Sequence, residues 1–344
     1  MNRSNHTSRD YIDDREHVFI VGSGRSGTTL LASILFASGA YAVYRAETKL
    51  LDECPPKYGS LASSSAYRRF REDWLNSRQF HRSGLTGEEF DKAVADHRNN
   101  YLQMLSAFMD AVAARQNKKL WIEDTPSNAF RLKEISRAFP NSRVIHIVRD
   151  GRAVALSLAK LGWTGVHTHS KRKGLCYSAL KWEQTVQTII KTRHNLHDRY
   201  HEIIYEDLVT NPSVVLAELG NFLGINLAVD GIIGSGKVDS MQVESQSALT
   251  SPNTAFSDVG PGISSKPAYR WRELISPEDE ALLNNYIGKT LQYYNYPVTF
   301  SDELGLSGFM IKVARTWFLR GKRILKYYTI LGRITPSPLE IGQK

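Results

Sequence analysis

Short apolar segments recur along the chain, and each is followed by residues with helical spacing. HVFIV at 17–21 is rich in β-branched and aromatic side chains and predicts a strand, while TTLLASILFASG at 28–39 has the apolar spacing of a buried helix. KLWIED at 119–124, RVIHIV at 143–148 and HEIIYEDL at 201–208 predict three more strands. Because strands alternating with helices form βαβ units, the predicted fold is α/β, a P-loop-like three-layer α/β/α arrangement with a mainly parallel sheet.

Two regions interrupt this alternation. Residues 55–117 predict a helical insert, in which EEFDKAVADHRNNYLQMLSAFMDAVAARQ reads as one long amphipathic helix. Residues 229–268 are rich in Gly, Ser, Thr and Pro without periodicity, which predicts a lid-like loop. The predicted organisation is a disordered leader over 1–16, one domain over 17–303, and a basic amphipathic tail over 304–344.

Composition narrows the class of protein. The chain has 344 residues, of which 42% are hydrophobic, so it can bury a sizeable core. Two cysteines are too few for a disulfide framework, and no apolar stretch has the length of a membrane span. The polar first residues lack the apolar core of a secretory signal, so we expect a cytoplasmic protein, peripheral to the inner face of a membrane if its tail binds lipid.

The formal net charge of +9 is concentrated in the tail. Seven Lys and Arg residues lie between Glu303 and Glu340 with no acid among them, which leaves the body close to neutral and argues against a nucleic-acid-coating protein. Drawn as a helix, the tail has apolar residues on one side and cations on the other. Two interpretations stay open: a basic amphipathic helix on an anionic membrane surface, or a helix that packs its apolar side on the domain and leaves its lysines in water.

The stretch GSGRSGTTLL at 22–31 has the composition of a phosphate-binding loop. Its three glycines allow a tight turn that points successive N–H groups at one anion, and the following helix adds its positive end. Arg25 supplies a planar, charged guanidinium group, and Thr28 and Thr29 supply hydroxyl groups that can donate hydrogen bonds to an anion. In a P-loop NTPase a lysine occupies the position of Thr28 and clamps the terminal phosphates, so a donor with fewer charges than a triphosphate is expected.

A second anion site is predicted where RVIHIV ends. In VRDGRAVALS, Arg149 stands at the carboxyl end of the strand and Ser157 follows two helical turns later, so both can reach one phosphate. The alternative is an ordinary ion pair of Arg149 with Asp150 or with a helix acid, and Ser157 as a small packing residue.

These two motifs resemble those of the sulfotransferase superfamily, closest in style to its bacterial and tyrosylprotein branches, over most of residues 17–300. The resemblance implies transfer of a sulfuryl group from 3′-phosphoadenosine 5′-phosphosulfate, without a metal. The residues that it implies around the 5′-phosphosulfate are Arg25, Ser26, Gly27, Thr28 and Thr29, and those around the 3′-phosphate are Arg149 and Ser157.

The resemblance implies further contacts with the nucleotide. Tyr205, in a Tyr-Glu-Asp-Leu setting, resembles a tyrosine that contacts it, and Lys266 and Arg270 in SSKPAYRWREL resemble the basic segment that covers it. The alternatives are a tyrosine packed under the sheet and two solvated cations.

The catalytic base is expected to be a carboxylate, because the acceptor hydroxyl must lose a proton. Glu47 in YRAETKLL resembles the glutamate base of the family, Lys49 resembles a residue that positions the acceptor, and Arg25 would supply electrophilic charge. A surface acid paired with Arg45 or Lys49 is the alternative interpretation of Glu47.

Asp124 marks a departure from the family. Many relatives carry a lysine at this position, where its charge can stabilise the leaving oxygen. Arg25 could then supply that charge alone, activity could be reduced, or Asp124 could recognise the acceptor or hold Arg25 in place.

The predicted function is sulfuryl transfer to a hydroxyl by in-line displacement, the acceptor being a glycan, a lipid, a peptide tyrosine or a small alcohol. The alternatives are a P-loop small-molecule kinase and a non-catalytic nucleotide-binding or membrane-associated scaffold.

Overall fold

The computed structural model describes residues 12–163, 168–227, 266–300 and 306–341. Within these ranges one sheet is formed by the strands β1 Val18–Gly22, β2 Ile122–Glu123, β3 Arg143–Val148 and β4 Tyr200–Ile204. Their order is β2-β1-β3-β4 and every neighbouring pair is parallel. The predicted α/β class and parallel sheet are therefore confirmed.

The described helices alternate with these strands and extend beyond them at the C-terminal end. In chain order they are α1 Thr28–Ala37, α2 Cys54–Tyr58, α3 Ser64–Leu75, α4 Arg78–His81, α5 Gly87–Val94, α6 Tyr101–Arg115, α7 Leu132–Ala138, α8 Gly151–Lys160, α9 Lys171–Thr192, α10 Tyr205–Thr210, α11 Pro212–Leu223, α12 Lys266–Tyr269, α13 Trp271–Leu274, α14 Pro277–Tyr293, α15 Leu306–Tyr328 and α16 Leu331–Ile334. Two 3₁₀ segments cover Pro126–Arg131 and Arg193–Arg199. Among the helices described, none has both the length and the apolar content needed to cross a bilayer.

Strand β1 is buried along its whole length because helices cover both faces of the sheet. Successive side chains of a strand point to opposite faces. Phe19 and Val21 accordingly belong to one core cluster, and Val18 and Ile20 belong to another. This is the three-layer arrangement that the sequence predicts.

The helices between 55 and 117 share the first of these clusters with the sheet. Trp74 of α3 and Phe108 of α6 are fully buried in it together with Phe19, and their rings meet edge to face at 5.1 Å. The single long helix predicted here is wrong, because the chain breaks between α5 and α6. Asn100 begins α6 by accepting hydrogen bonds from the first N–H groups of that helix, a role for which asparagine is strongly preferred.

Two predicted boundaries also shift. The strand predicted to run through Tyr-Glu-Asp-Leu ends at Ile204, and Tyr205 begins α10, whose first turn holds two acids that favour a helix N-terminus. The predicted leader is packed on the domain from Asp13 onward: this buried carboxylate accepts hydrogen bonds from Arg15 and Ser106.

The lid predicted over 229–268 lies outside the described residues, apart from 266–268, which begin α12. The predicted tail forms α15 and α16, and an extended segment then returns to the domain. There Leu339 joins the first core cluster and Ile341 pairs with Ser77 in an antiparallel bridge.

Candidate active site

The glycine loop between β1 and α1 makes a tight turn that only small residues permit at its end. Gly27 has φ 105° and precedes α1, and a Cβ on it would lie 2.6 Å from the ring of Tyr205. Arg25 also has a left-handed φ of 71°. The loop therefore curls over the ends of the strands while its backbone lies directly against Tyr205.

The predicted second anion site lies beside this loop because β1 and β3 are neighbours in the sheet. Arg25 Nε donates to Ser157 Oγ at 3.2 Å, and Arg149 Nη1 donates to the carbonyl oxygen of Arg25 at 3.3 Å. The guanidinium of Arg149 lies 4.5 Å from the centre of the Tyr205 ring. Four residues that the sequence singles out are thus brought into one cluster.

Asp150 is not the partner that the sequence offers as an alternative for Arg149. Its carboxylate pairs with Arg152 at 2.8 Å, and both side chains are buried. Trp182 holds the backbone of Arg149, since the carbonyl oxygen of Arg149 accepts a hydrogen bond from Trp182 Nε1 at 3.1 Å.

Ser26 carries a polar atom in need of a partner. Its side chain is fully buried, and its Oγ has no hydrogen-bond partner among the described residues. It stands two positions before Thr28, the first residue of α1, whose opening turn contains no acid. A buried hydroxyl at an acid-free helix N-terminus is suited to an anion. Thr28 is buried and Thr29 half-buried in that first turn.

Lys266 lies at the start of α12, and Arg270 lies between α12 and α13. The side chain of Lys266 lies outside the described part of the structure, and Arg270 is exposed just before α13. Ala268, between them, is buried in the same core cluster as Tyr205. Their predicted role stays a prediction.

Glu47 lies in the segment between α1 and α2 and is half-buried. Desolvation raises its pKa to about 7, Lys49 opposes this rise, and Glu53, Glu123 and Glu340 add to it. No ion pair of Glu47 is found among the described residues, so the surface pair with Arg45 or Lys49 is not formed there. A carboxyl group that titrates near neutral pH is suited to general-base catalysis.

Glu123, at the end of β2, fixes the backbone next to Glu47. Its buried carboxylate accepts from the hydroxyl of Thr48 at 2.6 Å, from the hydroxyl of Thr125 at 2.6 Å, from both backbone N–H groups and from Asn128. It therefore ties the Glu47 segment to the carboxyl end of the sheet. Sequence reasoning missed this role, since nothing local distinguishes it from the neighbouring Asp124.

Asp124 is buried next to these carboxylates. Desolvation raises its pKa well above the usual range, and the charges of Glu47 and Glu123 raise it further. Both effects favour the protonated form of Asp124.

Two lysines lie near Glu47. Lys49 Nζ donates to the carbonyl oxygen of Pro338 at 3.2 Å and to Glu340 at 3.4 Å. Lys181 of α9 reaches water, yet desolvation by the surrounding protein lowers its pKa, an effect that Glu53 and Glu47 oppose. Sequence reasoning missed Lys181, whose only signal is a cation placed between Leu180 and Trp182 in an otherwise apolar turn.

In the part of the chain that the structure describes, no three His, Cys, Asp or Glu side chains are grouped as metal ligands. The metal-free chemistry that the sequence implies stays a prediction.

Comparison with known proteins identifies the family of this site. The family model described as "Sulfotransferase family" matches residues 17–229, which include the glycine loop, Glu47, Arg149, Ser157 and Tyr205. The chain belongs to the sulfotransferase family.

Several curated relatives are similar over part of their length. A candidate protein-tyrosine sulfotransferase of Caenorhabditis briggsae is 30% identical over 213 residues, 60% of this chain and 65% of that one. Protein-tyrosine sulfotransferase A of Caenorhabditis elegans is 26% identical over 211 residues, 60% of this chain and 50% of that one. Omega-hydroxy-beta-dihydromenaquinone-9 sulfotransferase Stf3 of Mycobacterium tuberculosis is 28% identical over 129 residues, 35% of this chain and 32% of that one. The chain thus spans less than two thirds of the length of these relatives.

Solved structures have the same fold. The sulfotransferase domain of the Synechococcus PCC 7002 olefin synthase superposes with a TM-score of 0.54 at 21% identity, covering 84% of this chain and 98% of that one. The sulfotransferase domain of the curacin biosynthetic pathway gives 0.53 at 17% identity, covering 83% and 100%.

Proposed function

We propose that the protein transfers a sulfuryl group from 3′-phosphoadenosine 5′-phosphosulfate to the hydroxyl of an acceptor. The observation that carries the proposal is the cluster of Arg25, Arg149 and Ser157 beside the unpartnered hydroxyl of Ser26. Two guanidinium groups, a helix N-terminus and a buried hydroxyl in one place suit a ligand with more than one anionic group.

The donor fits this arrangement because it has two separate anionic groups, and the cluster offers one predicted anion site for each. The 5′-phosphosulfate would be held by the loop from Arg25 to Thr29 and by the N–H groups that open α1. The 3′-phosphate would be held by Arg149 and Ser157, with Tyr205 packing beside the nucleotide. The bound donor supplies the sulfuryl group and a phosphate leaving group.

Glu47 takes the proton in this proposal. As the acceptor oxygen bonds to sulfur and the bond from sulfur to the bridging phosphate oxygen breaks, the hydroxyl proton passes to the carboxylate of Glu47. Arg25 and the N–H groups of α1 stabilise the charge that builds up on the leaving phosphate. Lys49 and Lys181 lie near Glu47 and would orient the acceptor.

The test is a transfer assay in the presence of a metal chelator. Protein is incubated with donor carrying radiolabelled sulfate and with tyrosine peptides, glycans, small alcohols and detergent-dispersed lipids. We expect label on at least one acceptor class, a large loss in Arg25→Ala, and wild-type transfer in Arg69→Ala, whose arginine is exposed on α3. Magnesium-dependent turnover of ATP without sulfate transfer would instead support a kinase. Nucleotide binding without transfer to any acceptor would support a scaffold.

A further inference from the structure

Helix α15 contacts the domain through its cationic side. Arg315 Nη1 donates to the hydroxyl of Tyr286 at 2.7 Å, and Lys312 Nζ donates to the carbonyl oxygen of Asn285 at 3.4 Å. Further along, Arg323 forms an ion pair with Asp52. Leu319, on the same side, packs against buried residues of the domain, and Phe318 contacts the ring of Tyr177. Most of the apolar side, with Trp317, Ile324 and Tyr328, is exposed. This corrects the second of the two interpretations that the sequence left open.

Most of the apolar side of α15 faces solvent as a consequence. Trp317 is 67% exposed and Tyr328 is 83% exposed. The large exposed residues recur at spacings that keep them on one side of a helix. They are Met310, Ile311, Trp317, Phe318, Ile324, Leu325 and Tyr328. We call this set, together with the exposed Ile330, Leu331 and Ile334 that follow it, the tail surface.

Such a surface needs an explanation, because soluble proteins rarely expose many large apolar side chains side by side. Arg320 and Lys322 are exposed and, by helical spacing, lie at the two borders of the tail surface. No acid occurs between Glu303 and Glu340. An apolar side with a cationic border and with Trp and Tyr within it matches the boundary between acyl chains and anionic headgroups. A second copy of the chain would bring the same cations together without an acid to pair with them.

The same helix is bonded to the segment that carries Glu47. Arg323 and Tyr327 both bond to Asp52, five positions after Glu47. Lys57 donates to the carbonyl oxygens of Arg333 and Thr335, which follow the helix. These contacts fix α15 beside the segment between α1 and α2, so about one helix diameter, roughly 10 Å, separates the tail surface from that segment.

We propose that the tail surface docks on an anionic lipid bilayer and thereby brings the segment that carries Glu47 to the membrane, so that the acceptor is the hydroxyl of an amphiphile held in that bilayer. The choice of acceptor rests on the proposed function, whereas docking does not. Covering the large apolar side chains of the tail surface gives the binding energy, and the cations of the tail make it depend on headgroup charge.

The experiment is co-sedimentation of the full chain with phosphatidylcholine vesicles, with and without about one third phosphatidylglycerol. We expect binding to the mixed vesicles, weakened by salt, and an at least tenfold loss in the double variant Trp317→Ser/Ile324→Ser. Val214→Ser, which removes a 60% exposed apolar side chain from α11, should bind as the wild type does. Equal sedimentation of the double variant, or no binding of the wild type, would overturn the proposal.

Three further readouts separate the possible failures. Light scattering that shows a dimer of the wild type and a monomer of the double variant would mean that a second copy covers the surface, which also overturns the proposal. Titration with 3′-phosphoadenosine 5′-phosphate reports on the fold and on the donor site: the double variant should bind it normally, and failure of the wild type to bind it would refute the proposed function alone. For the acceptor, transfer to an amphiphilic alcohol in mixed vesicles should fall in the double variant while transfer to its water-soluble analogue persists; equal losses on both would contradict the membrane acceptor.

Discussion

Arg25 donates a hydrogen bond to Ser157 at 3.2 Å, although 132 positions separate the two residues in the chain. The contact forms because β1 and β3 are parallel neighbours, so the loops that leave their carboxyl ends meet at one edge of the sheet. It joins the two predicted anion sites into one. A single nucleotide with two phosphate groups can therefore span them.

Replacing Glu47 with glutamine should abolish most activity. The amide cannot accept the acceptor proton, and loss of general-base catalysis is worth about 100- to 10,000-fold in kcat. Donor affinity should change little, because Glu47 is not one of the residues proposed to hold the donor. Steady-state kinetics with a fixed acceptor measure both quantities. Glu218→Gln, an exposed acid on α11, is the control; a loss in kcat of less than threefold for Glu47→Gln would assign the proton to another group.

The pH dependence of the reaction should follow Glu47. Since its pKa is raised to about 7 and the base must be ionised, kcat/KM should rise with pH and level off above that value. Lys49 favours the ionised form, so Lys49→Met should move the rising limb to higher pH, and Lys49→Arg should leave it in place. A limb that moves to lower pH in Lys49→Met would show that a different group titrates.

Asp124→Asn should be close to wild type near pH 7. Burial and two neighbouring carboxylates raise the pKa of this carboxyl group and so favour its protonated form, which the amide matches closely in shape. We expect kcat within about threefold of wild type, compared at equal donor saturation. A loss of 100-fold or more would mean that the ionised carboxylate takes part in acceptor recognition or catalysis.

Gly27→Ala should destabilise the fold and disturb the packing of the glycine loop on Tyr205. The left-handed backbone and the approach of a Cβ to 2.6 Å from Tyr205 both oppose any side chain there, a strain of about 1–3 kcal/mol in the free energy of unfolding. Gly24→Ala is the matched control, since a Cβ at that position meets nothing within 4 Å. Chemical denaturation measures the difference, and equal stability of the two variants would contradict the close packing of loop and tyrosine.

The sequence predicts the parts of this fold that local patterns determine. Runs of β-branched residues mark β1 and β3, glycines mark the turn into α1, and strand ends place Arg149 near the loop. A helical spacing pattern likewise shows which side of α15 is apolar. These signals lie within a few residues of the features that they predict.

Features that depend on distant partners were missed. Which side of α15 faces the domain is decided by Asp52 and Tyr286, far away in the chain. The role of Glu123 depends on Thr48, which is 75 positions away. The break between α5 and α6 was missed for a different reason: its signal, the cap Asn100, is local but was outweighed by the helical periodicity around it. Periodicity alone contains none of this information.

The most direct test of the proposed donor site is calorimetric titration with 3′-phosphoadenosine 5′-phosphate in a metal chelator. We expect the wild type and Arg69→Ala to bind the nucleotide. Affinity should fall about 10- to 100-fold in Arg25→Ala and in Arg149→Ala, because a charged hydrogen bond is worth about 1.5–3 kcal/mol. Unchanged affinity in both variants, or no binding by a wild type that binds ATP with magnesium, would contradict the proposed donor site.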